Sequence, residues 1–149
     1  MSLQSKVMDA MKVAMKAKDS QALESLRAVK SAILLAQTES GAKAELTEAE
    51  ELKLLQKLVK QRKDSAAIFT EQGRDDLAAP ELAQAEIISQ FLPEQMSEEE
   101  IGKVVDQIIA QTGASSMKDM GKVMGMANGK LAGKADGGTI AKLVKAKLS

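Results

Sequence analysis

Four charged residues fall where a helical pattern places apolar side chains, which makes them the first candidates for chemistry. They are Arg27 and Lys30 in the second predicted helix, Arg62 in the third and Glu81 in the fourth. A charge on an apolar face is costly unless it is paired. We therefore interpret the four residues as a structural ion-pair cluster, with Glu81 as counter-ion to Arg62 or Arg27. The alternative is a catalytic carboxylate–cation site, but no histidine, cysteine or cofactor motif accompanies it.

The second candidate set combines lysine with glycine near the C-terminus. Its members are Lys118, Gly121, Lys122, Gly125, Lys130 and Lys134. On a helix, Gly121 and Gly125 lie one turn apart, beside an apolar strip on one side and Lys118 and Lys122 on the other. A glycine inside a helix costs about 1 kcal/mol relative to alanine. Two explanations stay open: close approach of a neighbouring helix, or close approach of a ligand backbone with the lysines as phosphate partners.

The charge distribution along the chain favours an anionic partner. Residues 112–149 carry seven lysines against two aspartates, a net charge of +5, and residues 1–111 carry a net charge of −5. Such asymmetry is typical of a basic surface that meets a polyanion. The alternative is that solvated lysines happen to lie late in the chain. The same two readings, a phosphate-binding surface or a solvated face, apply to Lys57, Lys60 and Lys63 in the third predicted helix.

Composition excludes several classes of chemistry. The chain has no cysteine and no histidine, so it lacks thiolate chemistry, the usual general base at neutral pH and the usual transition-metal ligands. We expect no cofactor and no metal. The only aromatic residues are Phe69 and Phe91. No apolar run approaches the roughly 18 residues of a membrane span, and no signal-peptide layout is present, so we expect a cytoplasmic protein without a membrane partner.

The elements that must position these residues are helices. Apolar residues recur at helical spacing and no stretch alternates like a strand, which predicts an all-α chain. We predict an N-terminal four-helix domain over residues 1–93 and a three-helix domain over residues 94–149. The predicted start signals are Ser2, Asp19 or Ser20, Thr47, Ser97, Ser115 or Ser116, and Asp136; the stop signals are Lys18, Ser40-Gly41, Gly73 and Gly113.

Two details of this reading concern single helices. Pro80 would kink the fourth helix if that helix starts at Asp75, and would be a good first residue if it starts at Ala79. The sixth helix is expected to end near Ala127, because Asn128-Gly129 is a turn signal. Its buried stripe is expected to consist of Met117, Met120, Met124 and Ala127.

Several separated motifs resemble the GatB/YqeY family, and the resemblance spans essentially the whole chain. The motifs are Leu26-Arg-Ala-Val-Lys-Ser-Ala32, Val59-Lys-Gln-Arg-Lys-Asp-Ser65, Gly73-Arg-x-Asp-Leu-Ala78, Phe91-Leu-Pro-Glu-Gln95, Met117-Lys-Asp-Met-Gly-Lys-Val-Met124 and Ala135-Asp-Gly137. The chain is similar to the small free-standing YqeY proteins. Their C-terminal half is related to the tail domain of the B subunit of the tRNA-dependent amidotransferase, the part of that subunit that contacts tRNA.

The resemblance implies a helical N-terminal domain and a three-helix, tail-like C-terminal domain. It also implies that nucleic acid contacts residues 117–124 and the turn 133–137, and it implies no catalysis. Two departures stand out. Lys134 occupies a position where arginine is expected, which weakens bidentate phosphate contact, and Pro80 is unusual in the fourth helix.

The preferred hypothesis is a non-catalytic accessory module that binds tRNA or another structured RNA. A translation-related protein is a further partner to consider. The alternatives are a helical protein-interaction module, based on the methionine-rich tail helices, and carbon–nitrogen ligase activity with glutamine as amide donor. The ligase alternative is the weakest, because the chain offers no recognisable nucleophile.

Overall fold

A computed structural model describes residues 2–39 and 45–149, and over these residues the chain is all-α. Seven α-helices and one short 3-10 helix are present in the described part. They are α1 (Leu3–Ala17), α2 (Ser20–Glu39), α3 (Glu48–Glu71), α4 (Asp75–Ser89), α5 (Glu98–Thr112), the 3-10 helix Met117–Asp119, α6 (Met120–Lys130) and α7 (Gly137–Leu148). None of these helices is long and apolar enough to cross a membrane. The chain divides into two compact units, Met1–Leu92 and Pro93–Ser149, called here the N-terminal and the C-terminal unit.

Local capping signals set most helix ends in the N-terminal unit. Ser2 accepts a hydrogen bond from the amide of Ser5 at 3.2 Å, and Asp19 accepts one from the amide of Ala22 at 3.1 Å. Thr47 and Glu50 form the predicted capping box. The Thr47 hydroxyl accepts a hydrogen bond from the Glu50 amide, and the Glu50 carboxylate accepts one from the Thr47 amide. At the α1 C-terminus, Lys18 takes a left-handed conformation with φ of 57°. The predicted stop Ser40-Gly41 lies outside the described residues.

The core of the N-terminal unit is aliphatic. Helices α1 and α2 pack together, as do α3 and α4, and α2 also contacts α3 and α4. The most deeply buried large side chains are Val7, Leu26, Val29, Leu55 and Ile88. A long-range hydrogen bond ties the start of α1 to α3, because the Leu3 amide donates to the Glu51 carboxylate at 3.0 Å. This bond satisfies one of the free amides that a helix N-terminus leaves.

The structure decides the path around Pro80. Helix α4 begins at Asp75, so Pro80 is its sixth residue rather than its first. At that depth proline removes one intrahelical hydrogen bond. Pro80 lies on the exposed side of α4, whereas the neighbouring Ala78 is buried. The carbonyl that loses its partner is that of Asp76, which is itself an exposed residue, so water can replace the missing donor.

The C-terminal unit packs α5, α6 and α7 around one small core. Ser97 caps α5 by accepting from the Glu100 amide at 3.2 Å, and Gly113 ends the helix with φ of 68°. Asp136 caps α7 by accepting from the Thr139 amide at 3.3 Å. The core consists of Ile101, Val105, Ile108, Val123, Ala127, Leu131, Ala135, Ile140, Val144 and Leu148.

The sixth helix differs from its prediction at both ends. A 3-10 turn precedes it, so regular α-helix begins at Met120, and Asn128-Gly129 lies inside the helix instead of forming a turn. The buried face is centred on Val123 and Ala127 rather than on methionines, and Met117 is 41% exposed. The reason is tertiary, because the core of this unit accepts the branched Val123 fully and leaves the longer methionines at its margin.

Candidate nucleic-acid interface

The side of α6 that faces away from the core is bare backbone. Gly121, Gly125 and Gly129 follow one another at intervals of four residues, and all three are exposed. Apart from the adjoining residues and the nearby backbone of α6 itself, a Cβ atom built on any of them would meet no described atom within 4 Å. Close approach of a neighbouring helix therefore does not explain these glycines. We call this surface the glycine face.

Four lysines of the C-terminal unit extend into solvent around α6. Lys118 lies in the 3-10 turn, Lys122 follows Gly121, Lys130 is the last residue of α6 and Lys134 lies in the turn that follows. All four are exposed, and no carboxylate in the described part of the chain lies within salt-bridge distance of them. An α-helix turns about 100° per residue, so the side chains of Lys122 and Lys130 leave the α6 axis in directions about 80° apart. The glycine face lies beside Lys122.

A different lysine of the same unit is already paired. Lys147 donates to the Asp106 carboxylate at 2.8 Å, and Gly102 lies beside it, since a Cβ there would approach the Lys147 Cε at 3.8 Å. Lys147 thus bridges α7 and α5 and serves packing. Lys118, Lys122, Lys130 and Lys134 differ from Lys147 in having no such partner among the described residues, and they lie in or next to α6.

The turn between α6 and α7 is tightly hydrogen-bonded. Gly133 is buried and has φ of 75°, a conformation that favours glycine. The Lys134 amide donates to the Leu131 carbonyl at 2.9 Å. The α7 N-terminus beyond it is occupied by the Asp136 carboxylate, which accepts from both the amide and the hydroxyl of Thr139. That helix end is capped, so the turn offers Lys134 rather than free amides.

The structure corrects the predicted ion-pair cluster. Arg62 is half-buried, and its Nε donates to the Gln84 Oε1 at 3.2 Å while its Nη1 donates to the Leu58 carbonyl at 3.2 Å. Arg27 is exposed, and in the described part of the chain Glu81 forms no salt bridge with it or with Arg62. A neutral amide on α4 thus takes the place of the expected carboxylate. Lys30 is half-buried, as expected for a long side chain that lies along an apolar face with its charge in water.

One ion pair outside the predicted sets lies at the start of α4. Arg74 donates to both carboxylate oxygens of Asp76, at 3.1 and 3.0 Å. This hydrogen bonding lowers the pKa of the Asp76 carboxyl below its ordinary value and raises that of Arg74. Both side chains are exposed, so we interpret the pair as a surface ion pair at the α3–α4 turn.

Two participants in the candidate interface were missed by sequence reasoning. The Asn128-Gly129 pair predicts a turn, whereas the four-residue spacing of Gly129 from Gly125 indicates that the helix continues, as it does in the structure. Gln95 donates from its side-chain amide to the Gly133 carbonyl at 2.7 Å. Nothing in the local sequence indicates that contact, because 38 residues separate the two partners.

Comparison with known protein families gives one match over most of the chain. The family model described as "Yqey-like protein" matches residues 4–148. The match covers nearly the whole all-α chain, including both units, so the chain belongs to the YqeY-like family.

A curated relative was also found. "Altered inheritance of mitochondria protein 41, mitochondrial" of Clavispora lusitaniae (strain ATCC 42720) is 42% identical over 82 residues, a stretch that covers 55% of this chain and 46% of the relative. The matched stretch therefore spans about half the length of that protein.

Proposed function

We propose that this protein is a non-catalytic accessory module that binds tRNA or another structured RNA through the C-terminal unit. In this proposal the two units correspond to an N-terminal helical domain (residues 1–93) and a domain similar to the amidotransferase tail (residues 94–149). The observation that carries the proposal is the glycine face. Its backbone is left open on α6, and the exposed lysines beside it and after it form no salt bridge with the described residues.

The chemistry of the two residue types is complementary. The exposed ammonium groups of Lys118, Lys122, Lys130 and Lys134 supply phosphate contacts, which give affinity and position the partner without reading sequence. The absence of side chains on Gly121 and Gly125 leaves room for a sugar–phosphate backbone to reach the helix. Structured RNA presents phosphates and 2′-hydroxyls across a wide, shallow minor groove, which a flat helix surface can approach.

The methionines give less support to the protein-interaction alternative. Met120, Met124 and Met126 are partly buried against the core of the C-terminal unit, which leaves less of each side chain for a partner. For the ligase alternative, the Arg62 guanidinium donates to the neutral Gln84 amide, so this arginine does not form the carboxylate–cation pair that a catalytic site there would need. The predicted cytoplasmic location stays a prediction, and the yeast relative carries the word mitochondrial in its own name.

Salt dependence tests the proposal. If about four phosphates are neutralised, the logarithm of the tRNA binding constant should fall with the logarithm of salt concentration at a slope of roughly −3 to −4. Replacing Lys118 and Lys122 together with alanine should flatten the slope by about 1.5 to 2. The measurement is fluorescence anisotropy of end-labelled tRNA titrated with the full chain at several salt concentrations.

The matched control removes the same charge from another surface of the same unit. Lys142 and Lys145 are exposed on α7, and their double alanine variant should keep most of the affinity and slope. Equal losses in both double variants would indicate attraction to net charge alone, and that result would contradict a defined interface. Binding that is tight but independent of salt would contradict it as well.

A further inference from the structure

The segment Pro93–Met96 joins the two units in sequence, and two of its residues bond to the turn that carries Lys134. The Gln95 side-chain amide donates to the Gly133 carbonyl at 2.7 Å and to the Pro93 carbonyl at 2.8 Å. The Met96 backbone amide donates to the Lys134 carbonyl at 2.9 Å. Two consecutive carbonyls of the turn, those of Gly133 and Lys134, are therefore both held by this segment.

Both backbone polar groups of Lys134, its amide and its carbonyl, are hydrogen-bonded. Its amide donates to Leu131 and its carbonyl accepts from Met96. The preceding residue, Gly133, is buried, and the following residue, Ala135, is only 6% exposed. The Lys134 side chain nevertheless lies in solvent. A cation on a rigid backbone loses less conformational freedom on binding than one on a loose loop.

We infer that Gln95 is a positioning residue for RNA binding, which acts by holding the Gly133–Lys134 turn so that Lys134 is presented to phosphate. The inference rests on the proposed function and assigns a role to the Phe91–Gln95 motif, which the lysines and glycines leave unexplained. Gln95 suits this role because one side-chain amide group supplies two donors, and here its nitrogen donates to two carbonyls at once.

A double-mutant cycle tests the inference, with tRNA as the probe and the full chain as the protein. Gln95→Ala should weaken binding about two- to tenfold, the range expected for loss of one or two such hydrogen bonds. Lys134→Ala should weaken binding and flatten the salt slope by about 0.7 to 0.9. Because Gln95 acts through Lys134, the combined variant should bind no more weakly than Lys134→Ala alone.

Two matched variants sharpen the cycle. Gln111→Ala removes an exposed glutamine from α5 in the same unit and should leave affinity and slope unchanged. Lys134→Arg restores a bidentate donor and should strengthen binding, with a gain that shrinks in the Gln95→Ala background. Additive losses for Gln95→Ala and Lys134→Ala would overturn the inference, since they would mean that Gln95 affects binding by another route.

A measurement on the unmodified chain keeps the inference testable if Gln95→Ala unfolds the C-terminal unit. The Met96 amide should exchange slowly with solvent in the free protein and remain protected when tRNA is bound. Rapid exchange in the free protein, or loss of protection on binding, would refute a preorganised turn. Failure of the proposed function is distinguishable, because it would appear as unchanged binding when Lys118 and Lys122 are both replaced.

Discussion

Replacing Gly125 with alanine is expected to stabilise the C-terminal unit and at the same time to weaken its binding to RNA. Gly125 is the sixth residue of α6, well inside the helix. An added Cβ would meet nothing within 4 Å, so the substitution carries no steric cost in the free protein. The gain should approach the full propensity difference between the two residues, about 1 kcal/mol. Gly121 is the second residue of α6, where fraying makes the gain smaller.

Hydrogen exchange can measure this gain in the full chain. A stabilisation of about 1 kcal/mol slows exchange through global opening about fivefold. Mass spectrometry of peptides from α5 and α7 resolves the C-terminal unit from the N-terminal unit. Far-ultraviolet circular dichroism gives the accompanying melting curve, since the chain has no tryptophan or tyrosine for fluorescence. Faster exchange in Gly125→Ala would show that something approaches this backbone closely, and the open glycine face would then be wrong.

RNA binding provides the second half of the prediction. Gly125→Gln adds a longer side chain without changing charge, and glutamine is a good helix former, so folding should not suffer. If a sugar–phosphate backbone approaches the glycine face, tRNA affinity should fall about tenfold or more. The control is Ala146→Gln, which adds bulk at an exposed position of α7. Unchanged affinity in Gly125→Gln, alongside a clear loss when Lys118 and Lys122 are replaced, would refute contact at the glycine face while leaving the lysines in place.

Three further predictions concern stability and titration. Arg62→Ala should lower the free energy of unfolding of the N-terminal unit by about 1 to 2 kcal/mol through lost hydrogen bonds and packing, whereas Glu81→Ala should stay within about 0.5 kcal/mol in chemical denaturation. NMR titration should place the pKa of the Asp76 carboxyl below the usual range near 4, and Arg74→Ala should raise that pKa. Because the folded-state pKa is lowered, the pair stabilises the fold at neutral pH. That stabilisation is lost as the pH falls through the folded-state pKa. Ser97→Ala should cost about 1 kcal/mol by removing the α5 N-cap, measured as faster hydrogen exchange across α5; an unchanged rate would mean that the cap contributes nothing.

Much of the helical framework could be predicted from the sequence because helix ends are local. Ser2, Thr47, Ser97 and Asp136 each cap through a bond to a residue three positions on. Such a contact needs no knowledge of the rest of the fold. The all-α class and the family motifs were accessible for the same reason, since helical periodicity and short motifs are properties of neighbouring residues.

Predictions from the sequence were wrong where the outcome depends on how helices pack against one another. The apolar stripe around Arg62 predicted a carboxylate partner, but α4 places the Gln84 amide against the guanidinium instead. Asn128-Gly129 is a turn signal by composition, yet the helix continues through it. Leu131, just beyond that pair, is 2% exposed in the core of the C-terminal unit, and burial there holds the preceding turn of helix in place.

The sequence by itself therefore determined the all-α class, the caps at Ser2, Thr47, Ser97 and Asp136, the lysine-rich charge of the last 38 residues and the family. Only the tertiary structure decided which glycines remain open, which lysines are unpaired, and that Gln95 holds the Gly133–Lys134 turn. The physical reason is range. Capping and periodicity act within one or two helical turns. The openness of Gly125 depends instead on where the rest of the unit lies, and the Gln95 bond joins residues 38 positions apart.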